Sequence, residues 1–204
     1  MKSILAAAAA TLPLAVPVLA QASSFEIDSS HSSAQFSVKH LMVSNVRGEF
    51  TKVSGTLELD EKDPTRSTVE ASIDASSIST RDEKRDAHLK SADFFDVAKH
   101  PTITFKSKTV QRAGKGRLNV IGDLTMHGAT REVVLAVEGP TAEVKDPWGN
   151  VKRGASATTR INRKDFGLAW NAALETGGVV VGEEVAITLD LELVKKAAQP
   201  TAQK

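Results

Sequence analysis

The strongest constraint in this sequence is an alternation with a period of two. Near the C-terminus Val185, Ile187, Leu189, Leu191 and Leu193 alternate with Ala186, Thr188, Asp190 and Glu192. Near the N-terminus Ala34, Phe36, Val38 and His40 stand opposite Gln35, Ser37 and Lys39. Side chains alternate across a strand, so each run lays one apolar and one polar face along extended chain. Similar runs cover 51–59, 68–76, 102–110, 117–125, 132–138 and 154–161, which makes eight candidate strands. Turn residues separate most of them: Asp63-Pro64, Gly114 to Gly116, His127-Gly128, Asp146 to Gly149 and Gly177-Gly178. The pattern predicts an all-β chain whose eight antiparallel strands close into a barrel or pack as a two-sheet sandwich.

One region departs from this period. Between Ser76 and Pro101, Thr80 and Glu83 have the spacing of a capping box, which predicts a short helix over Arg81 to Leu89. A further turn holds Phe94 and Phe95, and Pro101 ends the insertion.

The N-terminus has the composition of an export signal. Lys2 precedes a short apolar run, and Val18 to Ala20 or Ala20 to Ala22 fits a small-x-small cleavage site. Pro13 and Pro17 and the shortness of the run argue against a membrane span. The expectation is a cleaved signal over residues 1–22, one domain over 23–196, a periplasmic location and a frayed tail, AAQPTAQK. About 180 residues are enough for one domain with a sizeable core. Lys and Arg total 26 against 25 Asp and Glu. Losing Lys2 leaves 25 of each, a neutral chain that speaks against nucleic acid as partner. The absence of cysteine rules out disulfides, a cysteine nucleophile, thiolate metal sites and a cysteine-linked lipid anchor.

The polar residues form no recognised catalytic or metal motif. No histidine pair has the H-E-x-x-H spacing, and no G-x-S-x-G is present. His40 ends the apolar face of its strand, where it either meets the head of a ligand or is satisfied by a backbone carbonyl. His31, after Asp28 and two serines, reads as a locally bonded turn residue. His100, before Pro101, reads as a surface residue and His127 as part of a hairpin. On a helix Arg81, Arg85 and His88 would offer one face to an anion, or form a solvated charged face. Arg47 begins a strand and could clamp an anionic head group or a carboxylate such as Asp86. DFGLAWN lacks every other kinase element; its Phe166, Leu168 and Trp170 repeat with period two and suit an apolar wall or mouth, or simply plug the core. Trp148 reads as a turn aromatic. Small and branched inward faces suit a ligand cavity or an ordinary core, and alternation alone leaves both open.

Four stretches, in order, carry a resemblance: FEIDSSHSSAQFSVKHLMVSNVRGEF, IDASSISTRDEKRDAHLKSADFFDVAKHPTITFKS, VIGDLTMHGATREVVL and DPWGNVKRGASATTRINRKDFGLAWN. They resemble the YceI-like polyisoprenoid-binding proteins over essentially the whole chain after the signal. The resemblance implies an extended, eight-stranded, antiparallel lipocalin-like barrel with a short helical insertion around residues 80–99. It implies an exported protein that holds a long isoprenoid, an isoprenoid quinone or a fatty-acid-like amphiphile in its pore, with no other cofactor. The matching motif positions are His31, His40, Arg47, Arg81, Asp86, His88, Phe94, Phe95, Asp165, Phe166 and Trp170.

The resulting expectation is a carrier or sequestering protein, not an enzyme. Its ligand residues would be Phe36, Val38, Ile73, Phe105, Phe166, Leu168 and Trp170 around the tail. His40, Arg47, Arg81, Arg85 and His88 would lie near the head. Delivery implies transient contact with a membrane or a membrane protein, and a homodimer stays open. The alternatives are an enzyme acting on a lipid or quinone through His40 or His88, and a solid-cored stress-related interaction module.

Overall fold

The computed structural model describes residues 22–175 and 177–197. The expected signal and most of the expected frayed tail lie outside the described residues. Among the described residues, twelve strands and one α-helix follow in chain order. The first strands are β1 (Ser23–Ile27), β2 (Ser33–His40), β3 (Ser44–Phe50), β4 (Val53–Leu59), β5 (Thr68–Asp74) and β6 (Ile78–Ser79). Then come α1 (Glu83–Lys90), β7 (Thr102–Gly114), β8 (Arg117–Met126), β9 (Ala129–Glu138), β10 (Val144–Lys145), β11 (Val151–Asn162) and β12 (Val181–Lys195).

These twelve strands make eight barrel staves. β1 and β2 both lie antiparallel along β12, one after the other, with the Asp28 turn between them. β4 pairs with β1 and β3 with β2, so β3 and β4 form the next stave. β5 and β6 pair with β4 and β3 in turn and form the third. β7, β8, β9 and β11 continue as a meander. β12 closes the ring against β11 in a register running from Lys152↔Val194 to Asn162↔Glu184. Closure pairs the backbone groups that an open sheet would leave on two edges. Each of the eight runs read from alternation falls in a different stave. The short β1, β3, β6 and β10 were not separated by that reading, since they add length to staves or a side hairpin and do not add members to the ring.

The staves place two sets of loops at opposite ends. The upper end carries the β2–β3 tip, the segment from Thr80 to Pro101, the His127-Gly128 turn and residues 163–175 and 177–180. The lower end carries the 60–67 loop, the 115–116 turn and the 139–150 connection.

Helix α1 starts two residues later than the capping box implies. Asp82 is its N-cap and accepts from the Arg85 N–H at 3.0 Å. Thr80 instead gives its backbone N–H to Asp86, at 2.8 Å, and Arg81 stands between them at φ 63°. A carboxylate at the cap favours the positive end of the helix, and this local competition moved the boundary.

Two glycines show how the wall fits together. Phe36 faces Gly48 across the β2–β3 pair, and a Cβ at Gly48 would stand 2.5 Å from Phe36 Cζ. A Cβ at Gly122 would stand 2.6 Å from Phe105 Cζ. Both large rings therefore occupy space that only glycine leaves free.

Candidate functional site: an apolar barrel cavity

The inward faces do not fill the barrel. A cavity of about 260 Å³ remains, close to the lower end of the range for ligand pockets. Every stave contributes to its wall: Ile27 and Phe36, Phe50 and Leu57, Ala71 and Ile73, Phe105, Val120 and Leu124, Leu135, Ala157, and Ile187, Leu189 and Leu191 on β12. Alanines at 34, 71, 155 and 157 keep parts of the wall thin. The surface presented to the cavity is almost wholly apolar. Such a space offers water few polar partners, so it suits a hydrocarbon chain.

The upper end is plugged. Leu89, Phe94 and Phe95 come down from the insertion and meet Leu168 and Met126. Phe95 lies edge-on to Phe50 at 5.5 Å. Above the plug Trp170 packs on Phe94 at 5.3 Å and on His88 at 5.0 Å. His88 is held by Asp93, 2.8 Å from its Nε2.

Five of the residues expected at the ligand line the cavity: Phe36, Val38, Ile73, Phe105 and Leu168. Phe166 is buried beside it in the core, and Trp170 covers the plug from outside. The expected head-group residues do not converge on the cavity. His40 is half-buried at the end of β2, outside the lining. Arg47 faces outward with Ser37, because its register puts it on the polar side of β3, and the Asp86 carboxylate it was expected to meet accepts from Thr80 instead. Arg81 is exposed. Arg85 folds back onto Thr80, donating from Nε to Oγ1 at 2.7 Å and from Nη2 to the carbonyl at 2.9 Å. His88 is engaged by Asp93 and the aromatics, so Arg81, Arg85 and His88 do not form one open anion-binding face.

The cavity's one charged lining residue, Arg163, escaped sequence reasoning. It is 4 % exposed and donates to the backbone carbonyls of Gly182 (2.8 Å), Leu168 and Val181 (3.3 Å). Burial lowers its pKa from the ordinary arginine value, opposed by the charge of Glu183. Arg163 lines the wall, and its guanidinium ties the Leu168 carbonyl to those of Val181 and Gly182 at the upper end. RINRKDFG gave no signal for this, since nothing local distinguishes Arg163 from its exposed neighbour Lys164.

A second cleft, of about 220 Å³, lies at the lower end. Leu59, Leu118 and Pro140 line both it and the barrel cavity. Its polar walls are Arg112, Arg117, Arg153 and Glu61. Arg153 donates to both Glu61 oxygens at 2.9 Å and to the Thr141 carbonyl at 2.7 Å, and its guanidinium lies over the Phe25 ring at 5.6 Å. Its Nε–H is buried with no acceptor. A buried donor left unpaired costs about 1–3 kcal/mol.

Two clusters bring potential metal-ligand atoms within 4.8 Å: Asp96, His100 and His127, and Asp28, His31 and Glu192. In the second, Lys152 already supplies a cation to Asp28 and Glu192, and His31 bonds Asp28 at 2.9 Å as the turn reading expected. In the first, Lys99 pairs with Asp96 at 2.9 Å and the Phe166 carbonyl lies 3.2 Å from His127 Nδ1. His100 is half-buried there, not a surface residue: its ring packs on His127 and takes the space a Cβ at Gly128 would need.

The YceI-like domain model matches residues 25–193. A UPF0312 protein of Vibrio cholerae is 39% identical over 170 residues, covering 82% of this chain and 89% of its own. One from Staphylococcus aureus is 40% identical over 168 residues, covering 82% and 95%. Among solved structures, the Campylobacter jejuni YCEI protein superposes with a TM-score of 0.66 at 28% identity, covering 78% of this chain and 90% of its own. BcnA of Burkholderia cenocepacia gives 0.69 at 23%, covering 81% and 98%. A polyisoprenoid binding domain from Saccharophagus degradans gives 0.61 at 15%, covering 84% and 98%. The last two likenesses show the fold. The chain belongs to the YceI-like family.

Proposed function

We propose that this YceI-like protein binds a long-chain isoprenoid or related amphiphilic lipid in its barrel and carries or sequesters it in the periplasm. The observation that carries the reading is the apolar cavity enclosed by all eight staves. Family membership and the fold shared with a polyisoprenoid binding domain support it. The reading includes the division into a cleaved signal over 1–22 and one lipid-binding domain over 23–196. It needs no catalytic group, because shielding an insoluble chain from water is a matter of burial alone.

Magnitudes restrict the cargo. Each buried methylene contributes about 0.8 kcal/mol, whereas association costs about 4–15 kcal/mol in lost freedom. A six-carbon tail, worth about 5 kcal/mol, offsets only the lowest value of that cost, whereas a dozen carbons, worth about 10 kcal/mol, reach its middle. Phe36, Val38, Ile73, Phe105 and Leu168 hold the tail in this reading, with Phe166 and Trp170 supporting the plug. Delivery involves transient contact with a membrane or membrane protein. The exposed β2–β3 tip, Leu41, Met42 and Val43, offers an apolar surface for a homodimer.

The test is native mass spectrometry of the protein purified from its own compartment without detergent, followed by organic extraction. The expected result is one stoichiometric long-chain lipid, with added chains taken up only above a threshold length. A protein that arrives empty and takes up no chain of any length is the solid-cored module or an enzyme instead.

A further inference from the structure

The lower cleft gives the ligand an orientation. The upper end is filled by Phe94, Phe95 and Leu168, and the cavity wall offers almost no polar surface for a head group. At the lower end apolar and cationic surfaces are continuous, since Leu59, Leu118 and Pro140 border both the barrel cavity and the cleft. Three arginines and one glutamate supply the charge there. Glu61 is taken by Arg153, and Asp63 lies 3.1 Å from Arg112. Arg117 is exposed and has no ion pair among the described residues. The Arg153 Nε–H lacks an acceptor.

We infer that the ligand is an anionic amphiphile whose carboxylate or phosphate head sits among Arg117, Arg153 and Arg112 at the lower end, with its tail running up into the barrel. This rests on the lipid-binding reading and adds to it the charge of the cargo and the end at which it enters. Arginine suits the role because its planar donors match an oxyanion in pairs. The apolar stretch at Leu59, Leu118 and Pro140 would cover the first methylenes of the chain. Arg47 and Arg81, at the upper end, line neither the barrel cavity nor the lower cleft.

The experiment measures displacement of a fluorescent fatty-acid analogue by palmitate and by hexadecanol, chains of equal length that differ in head charge. Palmitate is expected to compete about tenfold better. That preference should shrink with added salt. It should also shrink in Arg117→Gln, an exposed position whose change leaves the core intact, and stay unchanged in Arg47→Gln and Arg81→Gln. Equal competition by acid and alcohol overturns the inference and leaves the lipid-binding reading standing. So does a preference that survives Arg117→Gln and Arg112→Gln together, or one lost in Arg47→Gln. Failure of the analogue and both chains to bind at all overturns both readings.

Discussion

Asp28 shows how much a single turn residue does. It accepts from the Ser30 hydroxyl and backbone and meets His31 and Lys152, joining the kink between β1 and β2 to β11. Those contacts, the Ser30 hydroxyl first and then His31, hold its carboxyl far below the ordinary 3.8. A carboxyl depressed on folding contributes stability that is complete above its unfolded value and lost as pH falls through the folded one. Melting temperatures measured downward from pH 6 should therefore fall below about pH 4, and Asp28→Asn should be less stable at pH 6 but flatten that acid limb. Gly48 makes a different demand, for space. Gly48→Val would drive a side chain into Phe36 and Thr80, and overpacking of this kind costs about 1–3 kcal/mol. Urea unfolding should show that loss with an unchanged slope.

Among elements, the insertion between β6 and β7 is the one whose loss should open the molecule. Helix α1 buries no residue completely, and its role is to deliver Leu89 and to position the turn that carries Phe94 and Phe95. Phe94→Ala should cost about 3 kcal/mol, the low end for a buried phenylalanine. It should also shift Trp170 emission to longer wavelength, because Phe94 is one of the two rings that shield the indole. The measurement needs a Trp148→Phe background, since Trp148 is exposed and would mask the change. An unmoved spectrum would mean that His88 alone covers Trp170 and that the plug does not depend on Phe94.

For the whole molecule, the balance is between closing a ring and filling it. The β11–β12 seam closes the barrel, and Ala157 lies on it opposite Leu189, 4 % exposed and facing the cavity. Ala157→Phe should occupy part of the ligand space and lower lipid occupancy by about tenfold or more, since several buried methylenes lose their place. Far-ultraviolet circular dichroism should remain that of a barrel, because the backbone pairing at the seam does not change. Full occupancy in the variant would place the ligand elsewhere.

Much of this was written in the chain itself. The eight strand runs, the turns between them, the helical insertion and the cavity-lining residues Phe36, Val38, Ile73, Phe105 and Leu168 follow from alternation, turn chemistry and the motif order, all local in sequence. The polar part was not legible. Arg47 and Arg163 look alike in sequence, yet strand register turns one to solvent and closure buries the other under three carbonyls. Arg112, Arg117 and Arg153 carry no common motif, and they meet only because β7, β8 and β11 end together at the lower rim. Alternation says which face of a strand is apolar; it cannot say whether opposite faces touch. The sequence by itself determined eight strands that each carry one apolar face, and its motif order carried the resemblance that implied a barrel. Only tertiary structure decided that the lining stops short of contact and that one end is plugged, because a cavity is a distance between staves remote in sequence.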